Sequence, residues 1–225
     1  MKRLLLVICM LSMGSLGWAQ SAPSLGAAQS FAVLGASTVT NTGSTIITGN
    51  LAVSPGTAVT GFPPGKVTGG TVHVGDATAT AAQAAVHTAY GDLVAQPCGT
   101  NLTGKTLGTS PGAVTLSPGV YCFNSSAQLT GTLTLNGSGV YVFKIGSTLT
   151  TASNSSVVLA KGATPGNVFW QITSSATLGT NSSFEGSILA NISDTVTTGA
   201  SVTGRVFALT GAVTLDENRI RAASK

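Results

Sequence analysis

Charge is scarce in this chain: Lys and Arg number 10 and Asp and Glu 6 among 225 residues, 7% in all. Setting aside Lys2 and Arg3 leaves 10 − 2 = 8 basic residues against 6 acidic ones, an excess near +2. So small and scattered an excess excludes a nucleic-acid footprint. Carboxylates are equally dispersed. Asp76 and Asp92 fall in a helical stretch, Asp216 and Glu217 near the end, and Glu185 and Asp194 on different strands. Glycoside hydrolysis needs two carboxyl groups held at a set separation, and nothing pairs these, so no catalytic residues are expected. His73 and His87 have no Cys or carboxylate at ligand spacing, so no metal or cofactor is expected either. Beyond the first nineteen residues no apolar run is long enough to span a membrane.

Residues 1–19 are a processing signal. Lys2 and Arg3 form its positive start, Leu4 to Leu11 its apolar stretch, and Gly17-Trp-Ala19 a small-x-small cleavage site. Cys9 lacks the small residue that a lipoprotein cleavage site places before its cysteine. Residues 20–225 are therefore expected as one secreted, extracellular domain, without membrane attachment once the signal is removed.

What fills the chain is small and β-branched. Gly numbers 29 and hydrophobic residues make up 43%, while Thr and Ser occupy most polar positions. Val, Ile and Thr favour strands over helices. Five apolar runs recur: Val120-Tyr-Cys-Phe, Val140-Tyr-Val-Phe, Val168-Phe-Trp-Gln, Ile188-Leu-Ala-Asn and Val206-Phe-Ala-Leu. Subtracting successive start positions gives 140 − 120 = 20, 168 − 140 = 28, 188 − 168 = 20 and 206 − 188 = 18. Repeats of this length mean stacked units too small to bury a core singly. Second runs follow, centred on Leu129, Leu149, Leu178, Val196 and Val213, and third runs near Leu133, Val157, Phe184 and Val202. Three strands per turn with Gly, Ser and Asn corners predict an all-β, three-sided β-solenoid.

Two further units, at Phe31 and Leu51, precede one helical segment. Asp76 is its expected N-cap, the helix covers about 76–95, and Pro97 ends it. Ala82, Val86, Ala89, Tyr90 and Leu93 make one apolar stripe. Such a helix is about 30 Å long, close to the height of six stacked turns, so it can lie along the stack. First strands are apolar on both sides, as strands covered on both faces are. Cys98 and Cys122 in an exported chain read as a disulfide, with two free buried thiols as the alternative.

The second strands carry small polar residues on either side of an apolar centre. Those neighbours point outward together and stack into columns. The candidate site is Thr38, Thr40, Thr60, Thr115, Thr130, Thr148, Thr150, Thr177, Thr195, Thr197 and Thr214. Rungs about 4.8 Å apart and alternate residues about 6.8 Å apart make a lattice of hydroxyls and methyls. A repeating ligand can match it, and ordered water is one. Thr is also simply a good strand former, so such ladders arise without a ligand. Here the ladder lacks the Lys, Arg, Asp or Glu that solvated faces ordinarily carry.

At this point the chain resembles the exported ice-binding proteins of the DUF3494 type. The likeness rests on Phe31-Ala-Val-Leu-Gly-Ala-Ser-Thr-Val-Thr-Asn-Thr-Gly, Val53-Ser-Pro-Gly-Thr-Ala-Val-Thr-Gly-Phe-Pro-Pro-Gly, Asn167-Val-Phe-Trp-Gln, Ser187-Ile-Leu-Ala and Gly211-Ala-Val-Thr-Leu-Asp. The resemblance implies a right-handed, discontinuous solenoid with turns stacked out of sequence order and the helix beside one face. It implies adsorption to ice through another flat face, with thermal hysteresis and inhibition of ice growth and recrystallisation. The short pattern Thr-Ala/Gly-x-Thr/Asn matches Thr42-Gly-Ser-Thr45, Thr103-Gly-Lys-Thr106 and Thr151-Ala-Ser-Asn154 at corners. The expected partner is ice or ordered water, met by a monomer. The alternative is an extracellular adhesin or glycan-binding solenoid without catalysis.

Overall fold

The computed structural model describes residues 20–223, so the expected signal over 1–19 lies outside the described residues. The chain builds a three-faced stack of parallel strands with one long helix, Ala77–Ala95, on its first face. First strands follow each other in the order Thr100–Asn101, Gly119–Phe123, Tyr141–Ile145, Val168–Ile172, the second halves of Ser183–Ala190 and Ser201–Ala208, Phe31–Gly35, Asn50–Val53 and Val72–Val74. The turns are thus stacked out of sequence order. Val33 pairs with Val206, which seats the N-terminal turns on the last C-terminal one.

The helix makes this order possible. It leaves the strand Val72–Val74 at one end of the stack and returns the chain to Thr100 at the other. Nine first strands span about 38 Å at strand spacing, more than the six turns expected. Nineteen helical residues cover about 29 Å, and the segments on either side make up the rest. Asp76 caps the start, accepting from the Ala79 amide at 2.7 Å. Ala79, Ala82, Val86, Ala89 and Leu93 are fully buried against Val142, Phe169, Leu189, Phe207, Leu34 and Ala52. At the far end Lys144 Nζ donates to the carbonyls of Val94 and Gln96, where a cation favours the negative helix terminus. Cys98 and Cys122 form a disulfide that ties the helix exit to the first strand of the next turn.

The first strands correct one expectation. Val120-Tyr and Val140-Tyr look like equivalent starts, a step of 20. The ladder instead pairs Tyr121 with Phe143, a step of 143 − 121 = 22, and Phe143 with Trp170, a step of 170 − 143 = 27. That last step is one residue short of the 28 expected, and a one-residue shift exchanges the two sides of a strand. Tyr121, Phe123, Tyr141, Phe143 and Trp170 therefore fill the solenoid interior, whereas Phe169, Leu189 and Phe207 meet the helix. Phe143 and Trp170 stack with ring centres 3.8 Å apart, a contact made possible by that register.

Two strands, Ser183–Ala190 and Ser201–Ala208, run unbroken from the third face into the first. They turn at Gly186 and Gly204. A Cβ on Gly204 would lie 1.8 Å from the Gly186 carbonyl oxygen, so only glycine permits this corner. Just past it, Arg205 is 1% exposed and donates to the carbonyls of Gln29 and Ala223. One buried guanidinium thereby joins both ends of the described chain at the seam between N- and C-terminal turns. Burial lowers its pKa from the usual arginine value to about 10, which leaves it charged at neutral pH.

Candidate functional site

The second face is a sheet of seven parallel strands: Ala127–Leu129, Leu149–Thr151, Ala176–Leu178, Asp194–Val196, Val213–Asp216, Thr38–Thr42 and Ala58–Thr60. Inward and outward side chains alternate along each strand, and each strand contributes one outward residue to a common central column. In register those outward residues are Gln128, Thr150, Thr177, Thr195, Thr214, Thr40 and Thr60. Six consecutive threonines thus form one column down the middle of the face. It crosses the seam without interruption, because Thr214 pairs with Thr40. The Thr40 and Thr214 hydroxyls lie 3.5 Å apart, too far for more than a weak hydrogen bond, so the column stays free to bind water.

Columns of small side chains flank this one. On one side stand Ser126, Thr148, Ser175, Ser193, Ala212, Thr38 and Ala58, placed by the same register and by backbone bonds such as Ala176 N to Ser193 O, 3.0 Å. On the other stand Thr130, Ala152, Gly179, Thr197, Asp216 and Thr42. Charged residues on the strands of this face are Asp194, which points inward and is 1% exposed, and Asp216 at the edge, which accepts from the Thr198 hydroxyl. The centre of the face is therefore uncharged and low in relief, its side chains mostly Thr, Ser and Ala.

The expected site residues divide accordingly. Thr40, Thr60, Thr150, Thr177, Thr195 and Thr214 make the central column, Thr38 and Thr148 fall in one flank, and Thr130 and Thr197 in the other. Thr197 is half-turned away: its hydroxyl donates to the Leu178 carbonyl at 2.7 Å. Thr115 is a correction, because it pairs with Thr134 on the third face. In that first turn the second-face place is taken by Leu107, which bridges Leu129 and brings Thr106 beside Gln128. The loop through Pro111 then carries the chain past the face before Thr115. Sequence reasoning does not single out Ser126, Ser175 and Ser193, although each lies two positions before the central residue of its strand. That constant offset is the signal for them.

The inward side of the same strands holds one anomaly. Asp194 sits in register between Ala176 and Val213, and neither carboxyl oxygen has a hydrogen-bond partner among the described residues. Burial without compensation pushes its pKa well above the usual aspartate value and so favours the neutral carboxyl. The third face differs in charge, carrying Lys66, Arg219, Arg221 and Glu185.

Residues 33–221 match the family model described as Ice-binding-like. An ice-binding protein of Nostoc sp. (strain HG1) is 52% identical over 210 residues, 91% of this chain and 76% of that protein. The crystal structure of an ice-binding protein from an Antarctic biological consortium superimposes with a TM-score of 0.87 at 39% identity, covering 97% of both chains. That of the Antarctic ascomycete Antarctomyces psychrotrophicus gives a TM-score of 0.84 at 38% identity, covering 91% of this chain and all of the other. With a matched span of nearly the whole solenoid, this chain belongs to the Ice-binding-like family.

Proposed function

We propose that this protein adsorbs to ice through its second face and so inhibits ice growth and recrystallisation. The observation that carries the reading is the unbroken column of six threonines, Thr150 to Thr60 in stacking order. Threonine suits the task chemically. Its methyl group orders adjacent water, and its hydroxyl hydrogen-bonds that water without imposing a charge. Neighbouring rungs repeat at about 4.8 Å and the flanking columns lie about 6.8 Å to either side. A layer of water held on that lattice merges with a growing crystal surface.

Rigidity makes the adsorption strong. Every strand of the face is paired on at least one side, and its interior is packed with Leu149, Leu178, Val196, Val213, Leu215 and Val39. The ordering entropy of the site is therefore met by folding rather than by binding. Adsorbed molecules force ice to bulge between them, which lowers the local freezing point and gives thermal hysteresis.

The reading is of a non-catalytic, secreted monomer whose residues 20–225 act as one domain. An export signal over 1–19 and the Cys98–Cys122 disulfide support an extracellular site of action. The test is direct adsorption: fluorescently labelled protein is offered to a growing single ice crystal. Incorporation of label into defined crystal surfaces is expected. Exclusion of the label from the ice, as with an unrelated protein of equal size, overturns the proposal.

A further inference from the structure

The third face carries a groove of about 240 Å3 lined by Arg219, Arg221, Thr48, Ser201 and Thr203. Arg219 and Arg221 are alternate residues of one strand, both exposed, so their guanidiniums rise side by side. Across the ladder, Ser201, Arg219, Ile46 and Lys66 stand in one column and Thr203, Arg221, Thr48 and Thr68 in the next. Three cations are thus rooted within about 12 Å of one another. Among the described residues the one salt bridge is His73 to Asp76, so none of these three is held in a close ion pair. Ile46 stands between Arg219 and Lys66, and the hydroxyls of Ser201, Thr203 and Thr48 on the adjoining rungs supply neutral hydrogen-bond partners beside the arginines.

We infer that this groove binds the acidic units of an extracellular polysaccharide, sugars bearing carboxylate or sulfate groups. This goes beyond the ice reading and does not rest on it. Size and pattern choose the ligand. The groove falls below the roughly 300 Å3 at which sites for whole small molecules begin, and suits one acidic sugar unit at a time. Positive charge covers a short stretch of the face, from Arg219 and Arg221 to Lys66 two rungs away. Glu185 stands two rungs from Arg221 on the other side, beyond Thr203. A broad anionic membrane laid on the face would meet that carboxylate, whereas a linear polyanion can follow the cations alone. Planar guanidiniums also pair with carboxylate or sulfate through two parallel hydrogen bonds. The third and second faces are different sides of the solenoid, so a chain held by the matrix keeps its threonine column open.

Retention on immobilised alginate and heparin at low salt, set against neutral dextran and against anionic phospholipid vesicles, tests this. The wild-type protein should bind the acidic polymers and release them as salt rises through physiological strength. Arg219→Glu with Arg221→Glu should weaken binding about tenfold or more with the melting temperature unchanged, and Glu185→Gln should strengthen it. Absence of retention by the wild type at low salt would overturn the inference. So would equal retention of the doubly reversed variant, or binding to vesicles without binding to the polysaccharides.

Discussion

Thr40 and Thr214, far apart in the chain, stand side by side in one ladder with their hydroxyls 3.5 Å from each other. Their pairing is the seam of the solenoid, and the threonine column exists only because that seam is in register. A slip of one residue would turn Thr40 inward and Val39 outward. What fixes the seam therefore also fixes the face.

Arg205 fastens the seam beside the strand ladders, joining Gln29 and Ala223 through their carbonyl oxygens. Arg205→Met removes these charge-assisted bonds and leaves two carbonyls short of partners. We expect a loss of about 3 kcal/mol in unfolding free energy, read by denaturant titration. Arg205→Lys should restore little, because an ammonium cannot reach both oxygens with the fork of a guanidinium. Full stability in either variant would mean that the seam is held by strand pairing alone.

Asp194 gives a pH dependence of unusual sign. Its folded pKa is raised by burial, while in the unfolded chain it titrates near the ordinary value of about 4. Its contribution is intact below that value and is lost as pH rises toward the folded pKa, because only the unfolded chain can ionise it there. Acidification from neutral pH toward about pH 4 should therefore raise the melting temperature as far as this group governs it. Asp194→Val, flanked in register by Ala176 and Val213, should remove that component and add about 1–3 kcal/mol at neutral pH. A variant less stable than the parent under those conditions would show that the carboxyl has a compensating partner.

The disulfide and the threonine face are separable. Cys98 and Cys122, 24 residues apart, are linked beside the helix exit, on the first face. Replacing both by Ala should cost about 3 kcal/mol in the loop-entropy account. Hysteresis measured near the freezing point should stay at the parent value, since the second face does not touch this link. A parallel loss of activity and stability would tie the face to the disulfide.

Some of this molecule can be read directly from the chain, and parity explains most of what cannot. The helix announces itself: Asp76 at its start, an alanine-rich stripe free of proline, and Pro97 beyond its end. Thr150, Thr177 and Thr195 are equally plain, each standing beside the apolar centre of a short second strand, Leu149, Leu178 or Val196. First-strand register is obscured because Val-Tyr-x-Phe occurs at Val120 and again at Val140, while the ladder sets Tyr121 against Phe143 rather than Tyr141. Both sides of that strand are buried, so apolar content does not tell inward from helix-facing residues. Thr115 misleads since the first turn departs from the others, spending its second-face position on Thr106 and Leu107. The seam itself leaves no local trace. Its out-of-order stacking is legible through family resemblance alone.

Ice adsorption by the threonine column is tested most directly by thermal hysteresis of two single variants matched in concentration and melting temperature. Thr195→Tyr places a bulky side chain in the middle of the central column, and Thr134→Tyr places the same side chain on the third face. We expect Thr195→Tyr to lose most of the parent hysteresis and Thr134→Tyr to keep nearly all of it. Equal activity in the two, or a loss confined to Thr134→Tyr, would contradict the assignment of ice adsorption to the threonine column.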